Sequence, residues 1–145
     1  MSQTKRSEKF NSSVFAELLM DDRRKAAEYI RSTDAKYAHL AGLNLSKMDL
    51  KGAFLYGADL RKSDLRNSQL ENAVLSCACL EHAMLTHSRM DHADFSFAYM
   101  SKCDLSFSYA SAAIYRRADM TEADLSLSKM SGADLRGTDL SQANL

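Results

Sequence analysis

The chain has 145 residues, a length typical of one domain, and it contains no proline and no tryptophan. Its content of 46% hydrophobic and 26% charged residues excludes both an intrinsically disordered chain and a membrane-embedded one. The 19 basic and 19 acidic side chains cancel, so we expect no direct binding to nucleic acid and none to a membrane surface.

The N-terminal residues and the cysteines predict a cytoplasmic protein. The first ten residues are polar, and the apolar runs at 14–16 and 18–20 are too short for a signal peptide or a spanning helix. Cys77, Cys79 and Cys103 are an odd number and too few for a disulfide scaffold, which is typical of a reducing compartment.

Residues 1–35 are predicted to be an N-terminal unit with a frayed polar tail at 1–12 and one amphipathic helix. Ser13 is a plausible N-cap, and the segment at 32–34 ends the helix after about Arg31. The apolar residues at helical spacing are Phe15, Leu18, Leu19, Ala26, Tyr29 and Ile30.

Residues 36–145 repeat every five residues without an insertion or deletion. The 22 residues whose numbers end in 0 or 5, from 40 to 145, are 15 Leu, four Met, and one each of Phe, Tyr and Ala. The 22 residues whose numbers end in 3 or 8, from 38 to 143, include 13 Ala and five Ser. Each pentad therefore carries one large and one small residue for the core.

A period of five excludes a regular helix or strand as the repeating unit. Leucines five apart would spread around an α-helix, and a strand needs a period of two. A repeated short bend fits instead. All five glycines have numbers ending in 2 or 7, the phase at which a tight turn with positive φ is expected.

These units resemble the pentapeptide-repeat family, whose pattern is Ala-(Asp/Asn)-Leu followed by two freer residues. The segments that match it directly are ADLRK at 58–62, ADLSL at 123–127, ADLRG at 133–137 and ANL at 143–145. The resemblance implies an all-β solenoid, a right-handed quadrilateral β-helix in which four pentads form one coil and the coils stack about 4.8 Å apart. The 22 pentads then make about five and a half coils, preceded by an N-terminal α-helical cap.

Residues twenty apart should form columns inside such a coil. Phe95 and Tyr115 share a column, so their rings are predicted to stack, and Tyr115 would fill the space that Ala110 leaves. A bulge that turns Ile114 inward is the alternative. In either case the segment 106–120 is the expected place for irregularity.

The two ends of the solenoid raise separate expectations. The N-terminal helix either covers the apolar end of the first coil and its open backbone edge, or docks onto a partner. At the other end, the inner residues Met130, Leu135, Leu140 and Leu145 have nothing in this sequence to cover them. The pattern predicts a homodimer joined through the C-terminal coil, with truncation of a natural cap as the alternative.

The sequence offers no candidate catalytic residues and predicts no enzyme activity, no cofactor and no metal. His82, His87 and His92 are five apart, so successive pentads place them on successive sides of the coil, where they cannot share a metal. The cysteines lack the spacing of zinc or redox motifs. The nine Asp residues at one phase of the repeat are interpreted as turn and surface residues.

Apolar residues at outward positions form a candidate interaction surface. Some of them form stacked pairs in neighbouring coils, and others flank two opposite edges of the solenoid. They are either ordinary side-chain ladders or a contact surface for a protein partner. These residues are Phe54, Val74, Phe97, Tyr99, Phe107, Tyr109 and Leu127.

Two functions are considered. The repeat favours a non-catalytic scaffold for protein–protein interaction with a partner of unknown identity. The alternative, implied by the family, is a DNA-mimicking protein that binds a topoisomerase such as gyrase and protects it from inhibitors. Mimicry requires a dense negative surface, whereas residues 36–145 have 13 acidic and 12 basic side chains.

Overall fold

A computed structural model describes residues 9–145, which form two short α-helices followed by a solenoid. Helix α1 spans Ser12–Asp21 and helix α2 spans Arg23–Ser32. Most of the predicted frayed tail, residues 1–8, lies outside the described residues. The prediction is wrong for residues 9–12, because the Phe10 N–H donates to the carbonyl of Asp34 at 3.2 Å and residue 12 is already helical.

The predicted single helix is also wrong, because the helical segment is interrupted at Asp22. The N-cap of α1 is Asn11 and not Ser13, since the Asn11 side chain accepts a hydrogen bond from the Ser13 N–H at 3.0 Å. Asp22 has extended backbone angles (φ −145°, ψ 98°), and its carboxylate accepts hydrogen bonds from the N–H groups of Arg24 and Lys25. Asp22 thus ends α1 and provides the N-cap of α2.

The apolar face predicted for this segment packs inward. Phe15, Ala26 and Ile30 are fully buried and belong to the same hydrophobic core as the first leucines of the solenoid. Polar contacts accompany this packing: the Arg23 guanidinium donates to the carbonyls of Asn44 and Ser46 at 2.9 and 2.6 Å.

The solenoid is built from isolated parallel bridges between residues twenty apart, beginning with His39 to Asp59 and ending with Asp124 to Asn144. Four pentads therefore make one coil. No extended strand occurs in residues 9–145, because a turn in every pentad leaves a single residue in each bridge. The predicted solenoid is correct, and its β structure consists of stacked one-residue bridges.

Each pentad turns at a residue with positive φ. All 22 residues whose numbers end in 2 or 7, from 37 to 142, have φ between 54° and 72°, which confirms the phase predicted from the glycines. Only five of them are glycine. At Gly57 a second requirement applies, since a Cβ there would lie 2.4 Å from the Tyr37 ring.

The interior follows the predicted register. The large residues of the repeat are at most 4% exposed from Leu40 to Leu125. The Phe95 and Tyr115 rings stack with centroids 5.1 Å apart and planes 3° apart, as expected. Ala110 is also buried, and Ile114 forms regular bridges to the coils on either side. The expected irregularity in 106–120 is therefore wrong, because the bridges and the inward register continue through this segment without a break.

Tyr115 provides a stability prediction. Its hydroxyl is buried and has no hydrogen-bond partner among the described residues, and burial raises its pKa well above the usual range. Tyr115→Phe removes this unpaired group and keeps the stacked ring, so the free energy of unfolding should rise by about 1 kcal/mol. Urea denaturation measures the change, and the exposed Tyr99→Phe is the control. A less stable Tyr115→Phe variant would show that the hydroxyl is satisfied in solution.

The phased aspartates are turn residues, as predicted. In every one of the nine, a side-chain oxygen accepts a hydrogen bond from the backbone N–H two residues later. These contacts satisfy a backbone donor at the point where each pentad bends. The aspartates therefore belong to the architecture of the repeat.

Candidate interaction surface

The exposed aromatic residues lie on two opposite edges of the solenoid. Phe97 and Phe107 occupy turn positions ten residues apart in a coil of twenty, so they project from edges half a coil apart. Their side chains and those of the adjacent Tyr99 and Tyr109 are 43–53% exposed. The predicted placement on two opposite edges agrees with this register.

We define the Phe107 surface as His87, Phe107, Tyr109 and Leu127. The imidazole of His87 stacks on the ring of Phe107 with centroids 5.1 Å apart. Leu127 is the next residue on this edge and is 71% exposed. The ammonium group of Lys129 lies 4.7 Å from the centroid of the Tyr109 ring. Apolar side chains and an aromatic ring therefore face solvent together.

Phe107 and Leu127 lie at turns whose positive φ is unfavourable for large side chains. Both have a φ of 57°, whereas the turns of the preceding coils on this edge carry the polar residues Lys47, Asn67 and His87. A bulky residue with positive φ costs roughly 1 kcal/mol or more, and glycine or asparagine adopts this conformation more readily. The solenoid does not require large apolar side chains at these two turns.

We define the Phe97 surface as Phe97, Tyr99 and Arg117. The guanidinium carbon of Arg117 lies 5.8 Å from the centroid of the Phe97 ring. Beside this pair is a shallow depression of about 390 Å³, which is lined by Ser96, Phe97, Arg116, Arg117 and Arg136. This edge thus combines an exposed aromatic ring with positive charge.

Asp134 joins two of these arginines. Its carboxylate accepts two hydrogen bonds from Arg136, at 2.9 and 2.7 Å, and one from Arg116 Nε at 2.5 Å. The guanidinium of Arg136, followed by that of Arg116, holds the pKa of Asp134 well below its usual range. Asp134 therefore remains ionised at physiological pH.

Phe54 and Val74 lie in neighbouring coils, as predicted, and form a parallel bridge. Both are half-buried, and the Phe54 ring packs nearly parallel to that of Tyr56 with centroids 6.5 Å apart. Tyr56 in turn contacts Tyr37 edge-on, and the ammonium of Lys36 lies 4.9 and 5.2 Å from the Tyr37 and Tyr56 rings. The rings of Phe54 and Tyr56 are therefore half-buried, whereas Tyr37 at the end of this group is 57% exposed.

The predicted dimer end is partly exposed. Met130 and Leu140 are half-buried, while Leu135 and Leu145 are 37% and 81% exposed. By contrast, the inner leucines of the first coil, next to the helices, are fully buried.

The remaining titratable groups form no further site. Within residues 9–145, no group of His, Cys, Asp and Glu side chains could hold a metal ion. His82 and His92 lie at separate turns, as the five-residue spacing predicts. Cys103 is buried, its Sγ donates to the carbonyl of Leu80 at 2.8 Å, and burial raises the pKa of its thiol to about 12.

The arginines beside Phe97 were not predicted as a site. The sequence feature that indicates them is the spacing of Arg116 and Arg136, which are one coil apart and therefore lie on the same side of the solenoid. In the described part of the chain, neither helix is long and apolar enough to span a bilayer, and the cytoplasmic location stays a prediction.

Solved structures similar to this chain include two cyanobacterial pentapeptide repeat proteins. HetL from Nostoc sp. strain PCC 7120, which is involved in heterocyst differentiation regulation, is 30% identical with a TM-score of 0.57. The match covers 78% of this chain and 58% of HetL, so this chain spans less than two thirds of HetL. Rfr23 from Cyanothece 51142 is 18% identical with a TM-score of 0.62, and the match covers 92% of this chain and 95% of Rfr23.

QnrB1, a plasmid-mediated fluoroquinolone resistance protein, is more distant. It is 22% identical over 74% of this chain and 62% of the QnrB1 chain, with a TM-score of 0.34. No curated protein matches the chain significantly.

The family model for pentapeptide repeats finds eight copies of the repeat in this chain. The matched segments are residues 31–67, 55–91, 68–106, 78–114 and 116–145. The repeating sequence of the chain, its stacked coils and the match to the family model show that the chain belongs to the pentapeptide-repeat family.

Proposed function

We propose that the protein is a non-catalytic scaffold that binds a protein partner through the Phe107 surface. The observation that carries this proposal is the presence of Phe107 and Leu127 at exposed turns with positive φ. Positive φ is common to every turn of the repeat, and these two turns differ in carrying large apolar side chains that are exposed in neighbouring coils. Neighbouring exposed apolar side chains are typical of contact surfaces. Aromatic residues are also enriched at protein interfaces.

Two further observations support a binding role over a catalytic one. The aspartates that could have formed acid–base pairs are engaged in the turns of the repeat. The likeness to HetL, a protein involved in the regulation of differentiation, supports a regulatory interaction.

A double substitution tests the Phe107 surface. Phe107→Asn with Leu127→Asn should leave the melting temperature unchanged or higher, because asparagine tolerates positive φ. The same variant should lose the partner that the parent protein captures in a pull-down. Lys62→Asn, at a turn with a φ of 57° on another edge, is the matched control and should retain the partner. A double variant that captures the same proteins as the parent would contradict the proposal.

DNA mimicry remains the second candidate, and the pairing of charges weighs against it. Acidic side chains of the solenoid form ion pairs with neighbouring basic ones, including Asp59 with Arg61 and Asp64 with Arg66. Such pairing breaks up the continuous negative surface that a duplex presents. A gyrase supercoiling assay tests this candidate, and protection from a fluoroquinolone by the purified protein would favour mimicry over the scaffold.

We propose that α1 and α2 cap the first of about five and a half coils. Their buried residues lie in one core with Leu40, Leu45 and Leu50, and these leucines are fully buried although no coil precedes them. The ion pair between Arg31 and Asp49 adds a polar contact between α2 and the solenoid. A cap of this kind covers the apolar end and shields its backbone edge.

We also propose that the 145-residue chain forms a homodimer through its last coil. Leu135 and Leu145 expose apolar surface that a two-fold contact would bury. Light scattering should give twice the monomer mass for the parent and the monomer mass for Leu140→Lys. A monomeric parent at high concentration would contradict this proposal.

A further inference from the structure

The depression beside Phe97 concentrates positive charge in a chain with no net charge. Three arginines line it: Arg116, Arg117 and Arg136. One carboxylate, that of Asp134, pairs with two of them. A second carboxylate, that of Asp94, lies beside the depression, where it accepts hydrogen bonds from the Ser96 N–H and the Ser76 hydroxyl at 2.8 Å. The three arginines therefore exceed the neighbouring carboxylates by about one positive charge at physiological pH.

Among the three arginines that line this depression, Arg117 has no carboxylate partner within residues 9–145. No ion pair or hydrogen bond joins its guanidinium to a carboxylate among residues 9–145. Its aliphatic part lies against Gly137, because a Cβ at that residue would be 3.2 Å from Arg117 Cγ. The Phe97 ring lies 5.8 Å from its guanidinium carbon. Packing thus positions this guanidinium at the depression while its charge is unpaired.

The nearest acidic residues along the chain do not supply the missing charge. Asp119 and Asp139 lie on the adjoining side of the coil, and each accepts hydrogen bonds from its own turn. Asp119 is engaged by Thr121 and Asp139 by Ser141. An external anion is therefore the group that would complete the charge balance at Arg117.

We propose that this depression binds an acidic peptide segment of a partner protein. Arginine forks bind carboxylate and phosphate oxygens with paired hydrogen bonds, so acidic side chains or one phosphorylated side chain would match the excess positive charge. The exposed ring of Phe97 would contact an apolar side chain next to the anion. This inference rests on the proposed scaffold function and assigns the chemistry of a second contact, on the edge opposite the Phe107 surface.

Fluorescence anisotropy with labelled octapeptides tests the proposal. One peptide carries two adjacent glutamates beside a phenylalanine, a second replaces them with one phosphoserine, and a third replaces them with lysines. The parent protein should bind the first or second peptide and not the third, and the tighter of the two identifies the anion. Failure to bind either anionic peptide would overturn the proposal.

Three variants test whether peptide binding depends on this depression or on the overall charge of the protein. Arg117→Gln should weaken binding by about tenfold or more. Asp134→Asn should strengthen binding several-fold, because it removes the carboxylate that pairs with Arg116 and Arg136, and a merely structural role for the arginines would not produce this gain. Arg66→Gln is the matched control, since Arg66 forms the same two-bond pairing with Asp64 elsewhere on the solenoid. Equal losses for Arg117→Gln and Arg66→Gln would overturn the site.

Two further measurements distinguish the outcomes. The Phe107→Asn, Leu127→Asn variant should keep the affinity for the anionic peptide. The proposal for the depression and the proposal for the Phe107 surface can therefore be tested separately. A labelled single-stranded DNA that binds more tightly than both anionic peptides, and is released by Arg117→Gln, would assign the pocket to nucleic acid and overturn the peptide proposal.

Discussion

Leu85→Asp is expected to unfold the protein. Leu85 is fully buried and lies in a column between Leu65 and Leu105, which are at most 1% exposed. A carboxylate there would lack a partner in an apolar interior, at a cost of about 4–5 kcal/mol or more. That is comparable to the whole stability of many domains, about 5–15 kcal/mol. Circular dichroism at 25 °C and urea denaturation would measure the loss.

Leu127→Asp is the matched control for this substitution. It makes the same chemical change at a leucine that is 71% exposed, at a turn where aspartate tolerates positive φ. Its free energy of unfolding should stay within about 0.5 kcal/mol of the parent value. Equal stability of the Leu85 and Leu127 variants would mean that the register of the repeat is wrong.

Deletion of residues 1–32 is expected to cause a large fall in melting temperature or aggregation. It removes α1 and α2, including the fully buried Phe15 and Ile30, and exposes the leucines of the first coil. The open end would also present unpaired backbone groups to other chains. Differential scanning fluorimetry and size-exclusion chromatography would detect both effects.

Two point variants of the full-length chain also test whether the packing of the helices stabilises the protein. Ile30→Asp introduces a charge at a fully buried residue, whereas Met20→Asp introduces it at one that is 91% exposed. Only the first should destabilise the protein. A truncated chain that is soluble and as stable as the parent, but no longer captures its partner, would show that the helices dock onto that partner.

The sequence by itself determined the architecture of the repeat. A five-residue period with one large and one small inner residue specifies the bend, the inward positions and the turn with positive φ, because each pentad repeats the same local environment. Reading the columns even predicted that the rings of Phe95 and Tyr115 stack. The break at Asp22 was also readable in principle, as a second N-cap signal.

The tertiary structure decided which surface residues form a site. Phe54 and Tyr99 are both aromatic residues at the bridge position of a pentad, yet Phe54 is half-buried beside Tyr56, whereas Tyr99 is 53% exposed. Likewise, Arg116 pairs with Asp134, which is 18 residues away, and Arg117 has no carboxylate partner within residues 9–145. These differences arise from side-chain contacts between stacked coils. A period of five fixes the backbone that brings the coils together, but the identity of each neighbour decides which rings are covered and which charges are paired.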